Sequence, residues 1–301
     1  MSRKLKDKKF KQKGLKGSLQ RHIIQDEYSK QAAKNKEIDK ENKANKLKSR
    51  KASKKSRQNN VQQKVKGLMP FKLDDHLLLI GEGDFSFAKS LIFQNFILPS
   101  NLIATSYDSK DELDKYPQAI ENIKKLEELG VRIIYNVDAT NLPTTLGLIL
   151  NSKQKKAGKS ISLFDDKSKI DYIMFNFPHS GKGIKDVDRN IRDHQKLILE
   201  YFQNCKKVFE LINVDTSGYN NVSGKIILSL FEGEPYNSWG IKILGKFEGF
   251  KVEKSGKFEW DMFPEYHHRR TNSVKDTTKP ANERDARMYI FEEFIKKKDE
   301  D

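Results

Sequence analysis

His76-Leu77-Leu78-Leu79-Ile80-Gly81-Glu82-Gly83-Asp84-Phe85-Ser86-Phe87 is the stretch that decides how this chain folds. From His76 to Ile80 the residues form a short, continuous apolar run, the pattern of a strand buried on both faces. The run stops at Gly81, and Gly83 follows two residues later. Glycines there let the backbone turn sharply and approach a ligand closely. Between Asp84 and about Asn95 apolar residues recur at Phe87, Ala88, Leu91 and Ile92, a helical spacing. Strand, tight turn and helix open a βα unit, and the first N–H groups of such a helix face whatever the turn holds.

The same alternation continues outward. Leu102 to Tyr107 and Val131 to Val137 read as strands closing on Asp108 and Asp138, and Ile170 to Phe175 as a fourth running into Asn176-Phe177-Pro178-His179. A helix from about Tyr116 to Leu129 is expected to bury Ile120, Ile123, Leu126 and Leu129 and to end at Gly130. Polar, Lys- and Ser-rich residues 152–168 read as a surface insertion. A helix from about Asp188 to Ile212 follows, then a strand over Lys225 to Phe231, a helix over Ser238 to Phe247, and strands over Lys251 to Phe258 and Arg287 to Phe294. This alternation predicts an α/β fold with a mainly parallel sheet, five βα-type units preceding a terminal strand pair.

Charge divides the chain. Residues 1–67 hold 23 Lys or Arg against 6 Asp or Glu, a net of +17, so the basic excess of the whole chain resides there and the rest, at −1, is nearly neutral. So basic a segment, with few apolar residues, cannot bury enough surface to offset its ordering entropy. It is expected to be a disordered or partly helical tail, the helical part between about Ile23 and Leu47. Clustered Lys and Arg suit nuclear import and phosphate contact, or a solubilising tail. The remaining boundaries are a domain over residues 68–296 and a charged end over 297–301. No apolar run approaches membrane-spanning length and no apolar signal core is present, so no membrane association is expected. The single cysteine, Cys205, excludes an internal disulfide framework and a Cys-rich metal site, and no metal is expected.

In an open parallel sheet, ligands bind beyond the carboxyl ends of the strands. The candidate cofactor-binding residues are Gly81, Glu82, Gly83, Asp84, Phe85 and Ser86, with Asp108 placed to accept ribose hydroxyls and Asp138 to meet an adenine amine. Taken alone, the loop also fits a tight turn without a ligand, and each acid also fits a helix cap. Three such features at three consecutive strand ends point to an adenosyl cofactor. A dinucleotide loop has Gly or Ala three residues after its second glycine, whereas Ser86 stands there, and no P-loop follows a strand. Asn176-Phe177-Pro178-His179 matches the turn with which nitrogen-directed methyltransferases grip a planar substrate; core packing is the other reading of Phe177.

With these residues in place the chain closely resembles the eukaryotic uridine-N3 methyltransferases of large-subunit (25S-type) ribosomal RNA. The resemblance rests on Leu79 to Phe87, Thr105-Ser106-Tyr107-Asp108, Phe175 to His179 with Gly181-Lys182-Gly183, Leu230-Phe231-Glu232-Gly233-Glu234-Pro235-Tyr236, and Tyr266-His267-His268-Arg269-Arg270-Thr271-Asn272. Arg3-Lys4-Leu5-Lys6 and Gly14-Leu15-Lys16-Gly17 extend it over nearly the full length. One departure is Pro264-Glu265-Tyr266, where the family pattern is Pro-Gly-Tyr. The resemblance implies a seven-stranded Rossmann-like domain of class I, S-adenosyl-L-methionine as cofactor, a uridine in rRNA or a preribosomal particle as substrate, and a nuclear, nucleolar location. A monomer is expected.

Carbon-5 methylation of a pyrimidine needs a cysteine nucleophile. Cys205 sits on an apolar helix face without a suitable motif, so transfer to nitrogen is expected. Asn176, Phe177, Pro178 and His179 are then the candidate catalytic residues, with His179, Asp186 or Asp188 as general base. His267, His268, Arg269, Arg270 and Thr271, followed by Lys275, Lys279, Arg284 and Arg287 in a long polar connection before the last strand, are candidate contacts to RNA phosphates near the target base; an internal ion-pair network with Asp276, Glu283 and Asp285 is the other reading. A non-catalytic RNA-binding assembly factor and a nicotinamide-dependent oxidoreductase are the competing function classes.

Overall fold

The computed structural model describes residues 67–149, 162–164, 169–213, 224–269 and 280–294. Expectations for the basic tail, Arg270, Thr271, Lys275, Asp276, Lys279 and the charged end lie outside these residues. The chain divides at Val65 and Lys66, and every described residue belongs to the second unit.

Seven strands form one sheet: β1 (Leu77–Ile80), β2 (Leu102–Thr105), β3 (Arg132–Ile134), β4 (Tyr172–Asn176), β5 (Lys225–Phe231), β6 (Phe250–Lys257) and β7 (Ala286–Glu293). Their order is β3-β2-β1-β4-β5-β7-β6. The first five run parallel, whereas β7 pairs antiparallel with both β5 and β6. All four residues of β1 are buried. Leu77 and Leu79 face one apolar layer and Leu78 and Ile80 the other, because successive strand side chains alternate in direction. That two-sided burial is why β1 shows no polar alternation in sequence.

The helices supply the two layers. α1 (Ser86–Phe93) and α2 (Ala119–Glu128) cover the Leu77 face; α3 (Leu142–Thr145), α4 (Val187–Ile212) and α5 (Ile241–Phe247) cover the Leu78 face. Chain progression reverses across β1, which lies between β2 and β4, so a crevice opens beyond the ends of these strands.

Two sequence expectations change. α2 begins at Ala119, not Tyr116, because Asp111–Lys115 forms a 3-10 turn and Gln118 takes a left-handed φ of 73°. Its buried face is Ala119, Asn122, Ile123 and Leu126, while Ile120 and Leu129 are exposed. Asn122 belongs there because its Nδ2 donates to the Asp84 carbonyl at 2.9 Å. The stretch taken as a surface insertion also contains two core residues. Leu163 and Phe164 are buried, and Phe164 packs edge-on against His76. Two adjacent apolar side chains suffice to bury residues 163–164; residues 152–161 and 165–168 of the expected insertion lie outside the described residues.

Candidate active site

The ends of β1, β2 and β4 and the turn after β3 enclose a cavity of about 380 Å³, within the usual range for small-molecule sites. Gly81, Glu82, Gly83, Asp84, Asp108 and Asp138 all line it. Phe85 and Ser86, the remaining residues expected there, are buried behind it.

The glycine loop is shaped by its neighbours. Gly81 has a φ of +73°, and a Cβ there would lie 2.5 Å from Phe175 Cε2. Both the conformation and the space therefore require glycine. Asp84 is 3% exposed and does not face bulk water. One of its carboxylate oxygens accepts the Ser86 N–H at 3.0 Å and the other accepts Arg269 Nε at 2.7 Å. Ser86 Oγ accepts the His267 N–H at 2.9 Å and donates to the His267 carbonyl. The segment from Tyr266 to Arg269 is thus fastened along the loop from outside. Arg269, read in sequence as an RNA contact, points inward here, the internal pairing left open, with Asp84 as the partner.

Glu82 is buried against this arrangement and accepts the Ala88 N–H at 3.2 Å. Desolvation pushes its carboxyl up to about 8, with the Ala88 bond opposing and Asp84 reinforcing the shift. Tyr266 is raised well above the ordinary phenol by burial and by Glu82 and Asp84.

Each of the other two acids is oriented. Asp108 accepts Lys115 Nζ at 2.7 Å and Tyr116 Oη at 3.0 Å, one on each oxygen. Asp138 Oδ1 accepts both the N–H and the hydroxyl of Thr140. Its Oδ2 has no partner among the described residues. Tyr107, an exposed ring beside Asp108, also lines the cavity. Sequence periodicity carried no signal for it.

Asn176 closes the far side. Its Oδ1 and Nδ2 are both buried without a hydrogen-bond partner among the described residues. An amide left so is costly in a protein interior. Phe177 has a φ of 49°, an uncommon conformation for a non-glycine residue. Its ring stacks on Trp260 and packs against Phe231, so the core-packing reading describes its side chain even though it borders the cavity. Pro178 is buried but does not line the cavity.

His179 lines the cavity, and its Nδ1 accepts the Gly181 N–H at 2.9 Å, which places the proton of the neutral ring on Nε2. Asp186 instead caps α4, accepting the Arg189 N–H at 2.7 Å, and neither Asp186 nor Asp188 lines the cavity. One helical turn later, Asp193 does. It pairs with Lys182 at 2.6 Å through Oδ1, and its buried Oδ2 lacks a geometric partner. Burial, the largest influence, pushes this carboxyl up, but the Lys182 and Ser180 bonds and the charges of Lys182 and His194 together outweigh it and hold the group below its ordinary value. His194, stacked on Trp239, is kept below the usual imidazole range by burial, against the Asn190 carbonyl and Asp193. Nothing in the linear pattern distinguished Asp193 or His194 from other residues of a long amphipathic helix.

This geometry fits an adenosyl ligand: a glycine turn of positive φ, two oriented carboxylates at successive strand ends, and a buried amide of the same cavity wall with no partner among the described residues. The family model described as rRNA (uridine-N3-)-methyltransferase BTM5-like matches residues 78–270, from β1 through the His-Arg segment. This chain belongs to that family. Over 98% of its length this BMT5-like protein is 44% identical to the 25S rRNA (uridine(2634)-N(3))-methyltransferase of Saccharomyces cerevisiae, spanning 94% of the yeast protein. It is 28% identical to the mouse ferredoxin-fold anticodon-binding domain-containing protein 1 homolog over 74% of this chain and 32% of that one. Among solved structures, the 16S rRNA methyltransferase KamB aligns over 74% of this chain and 90% of its own, with 12% identity and a TM-score of 0.38. No described helix of this family member is long and apolar enough to cross a membrane.

Proposed function

We propose that this protein methylates N3 of a uridine in large-subunit ribosomal RNA, with S-adenosyl-L-methionine as the methyl donor. The observation that carries the reading is Asn176, whose amide is buried, unpartnered and placed at the cavity wall. The donor supplies an electrophilic methyl group on sulfur. Gly81 and Gly83 would hold it close to the backbone, Asp108 would take its ribose hydroxyls, and Asp138 would take its adenine amine.

The imide edge of uracil presents an N–H between two carbonyl oxygens. A single amide side chain offers an acceptor and a donor side by side. Asn176 Nδ2 donates to a carbonyl oxygen beside N3, where negative charge grows as the proton leaves, and the N3 lone pair stays open toward the methyl group. His179 and Asp193 are among the titratable groups lining the cavity, and the proton passes to one of them. A base inside a duplex cannot reach the cavity, so the uridine is extruded from its stack. The His267-His268 edge meets the RNA beside it. The basic N-terminal residues serve nuclear and nucleolar targeting and general RNA contact, an assignment resting on charge.

The test is transfer of a labelled methyl group to rRNA extracted from cells lacking the protein, followed by nucleoside mass spectrometry. Label in N3-methyluridine is expected. A folded, donor-binding protein that leaves this rRNA and its preribosomal particle unlabelled would overturn the reading.

A further inference from the structure

The motif Leu230 to Tyr236 has no role in the cavity just described. It begins at the carboxyl end of β5, where Ser229 pairs in register with Asn176 and accepts the Phe177 N–H at 2.8 Å. The Phe231 ring lies 4.5 Å from the Phe177 ring, centroid to centroid. Over Phe231 sits Arg284, its guanidinium carbon 3.4 Å from the ring centroid. A ladder therefore runs from the cavity wall outward through Phe177 and Phe231 to a guanidinium.

Arg284 is half-buried and has no carboxylate partner among the described residues. Nearby acids are engaged elsewhere: Glu232 binds Arg287 at 2.6 Å, and Glu234 accepts the Ser238 hydroxyl. Neither Glu283 nor Asp285 pairs with it. Its position is nonetheless set, because one terminal N–H donates to Tyr236 Oη at 2.9 Å and its backbone N–H to the Ala281 carbonyl. Phe231 lies against the guanidinium, and the guanidinium N–H groups other than the one on Tyr236 have no hydrogen-bond partner among the described residues. A planar cation held this way, with no counter-charge among the described residues, is suited to two parallel hydrogen bonds to a phosphate.

We propose that Arg284, clamped by Phe231 and Tyr236, binds a backbone phosphate of the RNA strand next to the extruded uridine. It holds the strand while the base enters past Phe177 toward Asn176. This inference rests on the uridine reading above, and its test separates the two. Arg284→Ala and Arg284→Met are compared with the unaltered protein for donor affinity, for RNA affinity at several salt concentrations, and for transfer to rRNA from cells lacking the protein. Methionine keeps an apolar cover on Phe231, so it carries the test if the alanine variant fails to fold.

The expected result is unchanged donor affinity and a KM for RNA raised about tenfold or more. The slope of log affinity against log salt should fall by about 0.7, the share of one phosphate on a single strand. Arg284→Lys, which keeps the charge without the flat fork, should retain the slope but still bind more weakly. A folded methionine variant whose slope and KM match those of the unaltered protein would overturn the proposal, as would a loss confined to donor affinity. If the unaltered protein transfers no methyl group, the uridine reading fails, while the salt slope still reports on Arg284.

Discussion

Arg269 Nε lies 2.7 Å from Asp84 Oδ2, tying the glycine loop to a segment 185 residues further along the chain. Asp84 is almost wholly buried and its partner's side chain only 16% exposed, so this pair is shielded from screening. The contact gives the loop an outer wall.

Arg269→Ala is therefore expected to cost about 3 kcal/mol of stability, because the Asp84 carboxylate is left buried with one oxygen uncompensated. Donor affinity should weaken about tenfold in the same variant. Urea denaturation and titration calorimetry measure the two effects. Wild-type values for both would show that the loop stands without Arg269.

Asn176→Ala should behave in the opposite sense for folding. The amide makes no hydrogen bond within the described protein, so its removal abolishes a desolvation cost rather than a bond. Stability is expected to stay level or rise by about 1 kcal/mol, while methyl transfer falls about a hundredfold and donor affinity changes little. Thermal unfolding and single-turnover transfer read these independently; a large loss of stability would assign Asn176 a structural partner instead.

Glu82 links folding to pH. Burial raises its carboxyl to about 8, so the folded state keeps the proton over a range where the unfolded chain has released it. Its contribution is fully present below the unfolded value near 4.5 and is lost as pH rises through about 8. At about 1.4 kcal/mol per pKa unit, the change amounts to a few kcal/mol. Denaturation curves at pH 5 and pH 8.5 should show the wild type losing stability relative to Glu82→Gln. Parallel behaviour of the two proteins would place the proton elsewhere.

Cys205 is completely buried, and desolvation pushes its thiol well above the ordinary value, opposed by a bond from Tyr201. Such a thiol cannot serve as a nucleophile. Cys205→Ala should keep methyl transfer within a factor of about 3 and lose about 1 kcal/mol or less of stability from the small void. Loss of transfer in a folded variant would reopen covalent chemistry at carbon 5.

Short-range chemistry made most of the frame legible. The β5 bounds agree with the apolar run from Lys225 to Phe231, and β1 and α4 differ from expectation by one residue at an end. α2 was misjudged because its face includes Asn122, a polar residue whose burial depends on the distant Asp84 carbonyl. Periodicity counts apolar side chains and cannot register such a bond. Leu163 and Phe164 were missed for the complementary reason, as two apolar residues in a polar segment are too few to establish a period.

By itself the sequence determined the strand-turn-helix unit around Gly81 and Gly83, the acids closing β2 and the turn after β3, and the placement of Asn176 at the end of β4. Each follows from backbone freedom or apolar spacing within a few residues. Tertiary structure decided which polar groups meet. It turned Arg269 onto Asp84, packed Phe177 among other rings, brought Asp193 to the cavity in place of Asp186 and Asp188, and set Arg284 over Phe231. The free energy of these arrangements comes from burial and charge compensation between residues distant in the chain. Local pattern fixes only whether a side chain faces inward, not what it finds there.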